Sequence, residues 1–229
     1  MSNLPSVAPE DCLGASNIVD RDHPSVLAYA AEHGQGSDDF SRAIALYYAI
    51  RDGIRYDAYD IQISEHGLSA SRALQIGRGW CVSKAVLLAA CCRVLGIPAA
   101  LGYADVQNHL STERMRQSMG TNVFYWHGYT AIWLGGQWRK ATPAFNRELC
   151  EKFRIQTLEF DGTDDSIYHP FDLDGRQHME YLAYRGEYAD VPLAQMRADF
   201  AKYYPSMDEN LKGQDFDREV DQEIAAGSN

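Results

Sequence analysis

Apolar residues recur at spacings of three and four in three stretches of the N-terminal half, which predicts three helices. The first covers residues 25–33, with Ser25 or its neighbour as the N-cap, and the second covers residues 37–51. The third, residues 81–95, is apolar on nearly every side and ends at Gly96. A helix without a polar face must be surrounded by other elements, so we expect it at the centre of the fold.

Strand-like runs follow this helix. Residues 97–106 form the first of them. Two further runs, residues 124–134 and 137–142, flank the pair Gly135-Gly136. Two glycines between two strand-like runs are a common hairpin turn, so we expect an antiparallel pair here.

The remaining stretches have weaker patterns. Residues 54–72 are expected to be irregular, residues 108–122 a helix or loop, and residues 147–205 short strands joined by loops. The mostly polar residues 206–229 are expected to form a loosely ordered tail. The alternative for this tail is one thin helical stripe, formed by Phe216, Val220 and Ile224. No repeat and no linker divides the chain, so a single domain over residues 1–229 is expected.

The composition excludes some classes of function. The 229 residues carry 32 acidic and 21 basic side chains, a formal net charge of −11. So acidic a chain is repelled by phosphates and anionic lipids, and neither nucleic acid nor a membrane surface is an expected partner. Five cysteines, an odd number, indicate reduced thiols. With no secretory signal and no apolar run of membrane-spanning length, a cytoplasmic location is expected.

One cysteine has a position suited to chemistry. Cys81 follows a turn bounded by Gly77 and Gly79 and opens the central helix. Backbone N–H groups and the positive end of the helix dipole would therefore face its sulfur, and both favour the thiolate that attacks a carbonyl. Cys91 and Cys92 lie further along an apolar face of the same helix, where we expect them only to pack.

A cysteine nucleophile needs a base within hydrogen-bonding reach. Of the seven histidines, His127 is the best placed, because it lies on a predicted strand between Trp126 and Gly128. Alternation along a strand can aim one ring at the end of a neighbouring helix. A second candidate is His109, which shares a face with Asp105 if that segment is helical.

These motifs occur in an order that is similar to that of a known family. In chain order they are Trp80-Cys81 opening a helix, Gly96-Ile97-Pro98 leading into a strand, His127, the Gly135-Gly136 turn, Trp138 and Pro143. This order resembles the core of the transglutaminase-like superfamily of papain-type cysteine enzymes, in its bacterial, stand-alone form. The resemblance covers about residues 40–146. It implies an α+β fold in which a central Cys-bearing helix packs on an antiparallel sheet, with residues 147–205 as a C-terminal extension.

The resemblance implies that Cys81 is the nucleophile and that His127 is the general base that later protonates the leaving amine. The third catalytic residue of the family is an aspartate, and Thr142 stands at its position. A hydroxyl can accept a hydrogen bond from the imidazole, but it supplies no charge to stabilise the imidazolium. Asn146 is slightly favoured over Thr142 as the group that orients the ring, and Asp105 is a third possibility.

The hairpin register does not choose between these groups. A regular pairing from the Gly-Gly turn places His127 opposite Ala144. Thr142 and Asn146 then lie two residues to either side, on the same sheet face as His127 if the pairing continues. Pro143 lies between them, and a proline can interrupt a regular ladder.

Candidates for other site roles are few. Trp80, Trp126 and Tyr56 are aromatic residues that could line a substrate cleft. No metal site is expected, because the chain has no C-x-x-C pair and the acidic residues 160–175 do not match a calcium loop. No cofactor is expected either, since Gly77-Arg78-Gly79 lacks the rest of a nucleotide-binding signature.

The expected function is therefore acyl transfer through a thioester on Cys81, with a peptide or another amide as substrate. If water resolves the thioester, the protein is a peptidase or amidase, and if an amine does so, it is a transglutaminase. One alternative is a non-catalytic binding module of the same fold, which the threonine at position 142 favours. Another is a small-molecule acyltransferase that uses a thioester donor. The sequence does not indicate an oligomeric state.

Overall fold

The computed structural model describes residues 6–108, 111–168, 171–176, 178–205, 207, 211 and 213–226. Within them the helices are α1 Pro24–His33, α2 Asp39–Gly53, α3 Glu65–Leu68, α4 Ala70–Ile76, α5 Cys81–Val94, α6 Glu113–Met119, α7 Arg147–Phe153, α8 Leu193–Tyr203 and α9 Phe216–Ala225. The strands are β1 Arg55–Tyr56, β2 Arg78–Gly79, β3 Ala99–Asn108, β4 Val123–Leu134, β5 Gln137–Ala141 and β6 Met179–Tyr188. None of the helices so described is long and apolar enough to cross a membrane.

The main sheet has four antiparallel strands in the order β5-β4-β3-β6. A small parallel pair, β1 with β2, lies directly before α5 in the fold. Helices α1, α2 and α4 pack against α5, which also packs against β3 and β4. The predicted α+β fold, a central Cys-bearing helix on an antiparallel sheet, is confirmed.

Helix α5 forms the centre of the core because almost none of its side chains is polar. Every residue from Cys81 to Arg93 is buried. Its two cations are satisfied by backbone carbonyls: Lys84 donates to the carbonyls of Arg51 and Ala144, and Arg93 donates to that of Ala99. A buried cation is tolerated only where such acceptors meet it, so these bonds hold the surrounding segments against the helix.

The hairpin has the predicted register as far as β5 extends. Leu134 pairs with Gln137 and Thr130 with Ala141. Gly135 and Gly136 both have positive φ, as a two-residue turn of this kind requires. Strand β5 ends at Ala141, before the proline, so β5 supplies no pairing partner for His127.

Three helices differ from the expectation. The stretch predicted to be irregular, residues 54–72, contains α3 and the first turn of α4, which are capped by the hydroxyls of Ser64 and Ser69. Helices of four and seven residues are too short to show a periodic pattern. Helix α1 begins at Pro24 with His23 as its N-cap, because proline is well suited to the first helical turn.

The C-terminal part is more regular than expected. The described residues between 147 and 205 contain two helices and one long strand rather than several short strands. Residues 216–225 are helical rather than loosely ordered, because Phe216 and Val220 are buried against the body of the protein. Ion pairs such as Lys152 with Asp221 fix the polar face of α9. Residues 206, 208–210, 212 and 227–229 of the predicted tail lie outside the described residues.

Candidate active site

The sulfur of Cys81 lies at the first residue of α5 and is almost completely enclosed, with the residue only 6% exposed. Burial raises the pKa of Cys81 to about 11, although the backbone N–H groups of Gly128, Val82 and Cys81 itself are directed at the sulfur and lower it. The expectation that the helix start would favour the thiolate is therefore wrong for this conformation. Desolvation outweighs the dipole and the N–H groups.

Gly128 brings β4 close to the start of α5. A Cβ atom at this position would lie 2.9 Å from Cα of Val82, a distance that real Cβ atoms essentially never show. Only glycine allows the strand to approach so closely that its N–H reaches the sulfur of Cys81. His127 precedes this glycine, so the same contact sets the position of the base.

A β-bulge lies directly before His127. Ala104 pairs with His127, but Val106 pairs with Phe124, so β4 has one residue more than β3 across this point. Trp126 takes up the extra residue with φ of +64°, a left-handed conformation that is rare outside glycine. A carboxylate oxygen of Asp105 accepts from the Trp126 N–H at 3.2 Å and stabilises this conformation.

His127 is buried among aromatic rings and is only 5% exposed. Tyr168 and Tyr181 have ring centroids 6.1 and 6.4 Å from that of His127. Burial lowers the pKa of His127 to about 4, and His178 contributes in the same direction. The imidazole is therefore neutral at pH 7. Within the described part of the chain, no hydrogen bond joins it to Cys81, although both side chains face one cavity.

None of the three candidates for the third catalytic residue bonds to the imidazole. Among the described residues, Nε2 of His127 has no hydrogen-bond partner, and neither has the buried hydroxyl of Thr142. The side-chain oxygen of Asn146 accepts from the Tyr56 N–H at 3.2 Å. The carboxylate of Asp105 accepts from Trp126 and forms an ion pair with Arg185. The second candidate base, His109, lies outside the described residues.

The loop after β5 is nevertheless held firmly. Lys84 donates to the Ala144 carbonyl at 2.7 Å, and the Tyr47 hydroxyl donates to the Thr142 carbonyl at 3.3 Å. The Phe145 N–H donates to the Tyr168 hydroxyl at 3.0 Å. Burial lowers the pKa of Lys84 to about 7, so this amine is near its titration point at neutral pH. Thr142 and Asn146 are thus fixed without contacting the base.

Cys81 and His127 face a cavity of about 30 Å³, enough for one water molecule. Of the three predicted cleft residues, Tyr56 and Trp80 line this cavity. Trp126 does not, because its indole packs on Tyr103 and Tyr188 on the opposite side. The full lining is Tyr56, Ala58, Ile61, Trp80, Cys81, Val106, Asn108, Met115, Met119, Phe124, Tyr125, His127, Phe145, Met179, Phe200, Tyr204 and Met207.

Three C-terminal side chains line both this cavity and the open cleft next to it, and so lie between the two: Phe200 of α8, Tyr204 directly after it, and Met207. We call them the cover. The Phe200 ring meets the Trp80 ring edge-on at 5.9 Å. The Tyr204 hydroxyl donates to the Val123 carbonyl at 2.8 Å and accepts from the Tyr125 N–H at 2.7 Å. The cover is therefore hydrogen-bonded to the backbone of β4 beside the site.

A charged cluster also fixes α8. One carboxylate oxygen of Asp199 accepts from the Trp126 indole at 2.9 Å and from Arg185 at 2.7 Å. Arg185 pairs in addition with Asp105 and lies over the Trp126 ring. The cluster joins α8 to β3, β4 and β6, the three strands beside the site.

Sequence reasoning did not identify the cover, Gly128 or His178. The glycine directly after the proposed base was a signal for close approach, because glycine within a strand often marks it. The cover lies far from Cys81 in sequence, and no local pattern links the two. Among the described residues, no group of three or more His, Cys, Asp or Glu side chains is placed to hold a metal ion.

Comparisons with known proteins identify the family. No curated protein matches this chain in sequence. The solved structures that match include that of a candidate cysteine protease from Cytophaga hutchinsonii, with 18% identity and a TM-score of 0.49. The match covers 80% of this chain and 47% of that one, so this chain spans about half of its length. The family model of the transglutaminase-like superfamily matches residues 28–143, just over half of the chain, including Cys81 and His127. The chain belongs to the transglutaminase-like superfamily.

Proposed function

We propose that this protein is a cysteine-dependent acyl-transfer enzyme that acts on an amide, with Cys81 as nucleophile and His127 as general base. The observation that carries the proposal is that a sulfur at a helix start and an imidazole on the adjacent strand face one enclosed cavity. Both lie within the span that the family model matches.

The sulfur attacks the amide carbonyl while His127 takes the thiol proton. His127 then gives this proton to the amine that leaves, and a thioester remains on Cys81. Water or a second amine takes up the acyl group and restores the thiol. With the pKa of Cys81 raised to about 11 and that of His127 lowered to about 4, the pair starts as neutral thiol and neutral imidazole.

Two donors suit the negative charge that develops on the carbonyl oxygen. One is the Cys81 backbone N–H at the start of α5, as in other acyl-transfer sites built on a helix end. The other is the Trp80 indole, whose Nε1 is buried beside the cavity and has no partner among the described residues. An unused buried donor is costly, so a role in binding an oxygen offsets that cost.

The test compares the turnover of amide substrates by the wild type and by Cys81→Ala and His127→Gln. We expect both variants to lose at least 99% of the activity, and the wild type to form an acyl-enzyme visible by intact mass spectrometry. His33→Gln is the control, because His33 lies on α1 away from the cavity. Adding hydroxylamine separates transfer from hydrolysis, since a transferase yields the hydroxamate. Unchanged turnover in Cys81→Ala would refute the assignment.

A second candidate is a non-catalytic binding module of the same fold. The observation in its favour is that Nε2 of His127 has no hydrogen-bond partner among the described residues, so the imidazole is not oriented as in a triad. This candidate predicts no acyl-enzyme with any amide or thioester donor. A small-molecule acyltransferase predicts acylation from CoA thioesters but not from peptide amides.

A further inference from the structure

We propose that the acyl group taken up by Cys81 is linear and apolar, and that the methionines around the cavity hold it. This inference rests on the proposed function and names its substrate class. Four of the six methionines in the chain line the cavity. They come from three separate segments: Met115 and Met119 from α6, Met179 from the start of β6, and Met207 from the cover.

Met115 and Met119 share one face of α6, but Met179 and Met207 reach them only in the folded chain, so the four do not form a single helical stripe. Methionine has an unbranched side chain with three rotatable bonds, so it adapts to different apolar groups without movement of the backbone. Methionines gathered beside a nucleophile therefore form a wall that can reshape around an acyl chain.

The chemistry of the wall excludes charged acyl groups. None of the residues that line the cavity is Asp, Glu, Lys or Arg. A carboxylate or ammonium carried by the acyl group would be desolvated there without a counter-ion, which is strongly unfavourable. An alkyl chain would bury apolar surface at each methylene and gain affinity instead.

A second, smaller cavity indicates the direction in which the acyl chain extends from Cys81. It measures about 20 Å³ and shares Met115, Phe124 and Phe145 with the first, so the two cavities are neighbours. The residues that line it but not the first cavity are Ser111, Leu149, Phe153 and Phe216, three of them apolar. Rotation of the Met115 side chain would join the two cavities. Each cavity has room for about one water molecule, so a longer acyl chain extends from Cys81 past Met115 towards α7 and α9 only as the methionine side chains turn aside for it.

The reaction that tests this uses 4-nitrophenyl esters of straight-chain acids. The sulfur of Cys81 forms a bond to the acyl carbon, the bond from that carbon to the phenolic oxygen breaks, and nitrophenolate leaves. The thiol proton goes to His127, and water later releases the acid. The acetate, butanoate, hexanoate and octanoate vary the chain length, and the adipate monoester matches the hexanoate chain but ends in a carboxylate.

In the full chain, acylation of Cys81 is measured from the release of nitrophenolate and is located by peptide mapping. The Cys81→Ala variant gives the background rate. We expect the rate to rise roughly fourfold for each buried methylene from acetate to hexanoate. The adipate monoester should react no faster than the acetate. A flat dependence on length, or adipate faster than hexanoate, would overturn the inference and leave the proposed function standing. No acylation of Cys81 by any ester would overturn the proposed function itself.

A variant locates the pocket. Met115→Phe should block the passage between the cavities and slow octanoate at least tenfold relative to acetate. Met196→Phe is the matched control, because Met196 is buried on α8 but does not line the cavity. If the rate depends on acyl-chain length equally in both variants, the acyl chain does not lie past Met115. If Met115→Phe does not fold, Met115→Leu, whose branched and stiffer side chain turns aside less readily, provides the same comparison at the same position.

Discussion

The cover predicts how slowly Cys81 reacts. In the closed conformation the pKa of Cys81 is raised from 9.0 to about 11, so the fraction of thiolate at pH 8 is about 100-fold smaller than in water. We therefore expect alkylation to occur mainly through molecules in which the cover has moved away from the cavity. Removing only the Tyr204 hydroxyl, by Tyr204→Phe, leaves the Val123 carbonyl and the Tyr125 N–H without their partner. Two such lost hydrogen bonds cost about 2 kcal/mol, which corresponds to about a 30-fold larger open fraction.

The assay is iodoacetamide labelling at pH 8, followed by digestion and quantification of each cysteine by mass spectrometry. We expect the labelling of Cys81 to accelerate about 30-fold in Tyr204→Phe. Tyr203→Phe is the matched control, since it removes a neighbouring hydroxyl that makes no bond to β4. Cys92 and Cys150 serve as internal standards, because burial elsewhere raises their pKa values to about 12 and about 11. If Cys81 labels no faster than in the wild type, or if all three cysteines accelerate together, the cover does not limit access.

Three further predictions follow from other contacts. Gly128→Ala should destabilise the fold by about 1–3 kcal/mol in urea unfolding, because the added Cβ meets Val82; a neutral result would contradict the close approach. Lys84 has its pKa lowered to about 7, so the unfolded chain binds more protons above that pH. Stability should therefore rise between pH 7 and 8.5, by up to about 1.4 kcal/mol per pH unit, and Lys84→Met should remove this slope. Asp199→Asn should weaken the cluster with Arg185 and accelerate Cys81 labelling several-fold, whereas Asp22→Asn, at an exposed ion pair, should not.

The elements that could be predicted from the sequence are those with a strong period or a specific turn. Helix α5 is apolar on nearly every side. The hairpin of β4 and β5 turns at two glycines with positive φ, which is a specific sequence signal for a two-residue turn. Helices α3 and α4 are shorter than the window in which a period becomes visible. Helix α9 is amphipathic, but the pattern does not reveal what buries its apolar face, because Phe216 packs on Tyr56 and Tyr59, far away in the sequence.

In the candidate site, too, some features could be predicted from the sequence and others could not. Cys81 and His127 could be selected because the position of each in its element has a chemical meaning. The protonation state of Cys81 could not be predicted from the sequence, because it depends on burial, and burial is a property of the tertiary structure. The β-bulge at Trp126 could not be predicted either, because tryptophan rarely adopts a positive φ.

The cover and the site are parts of one chain, and this connection determines how readily the cover returns to the site after it has moved away. A tethered segment acts at an effective concentration set by the linking chain, typically millimolar for short connections, whatever the protein concentration. In a truncated protein that ends before α8, the cavity would be left without its cover. A separate peptide with the sequence of residues 193–226 would have to be present at such a concentration to cover it again. A substrate of the intact protein therefore meets the cover beside the site at every protein concentration.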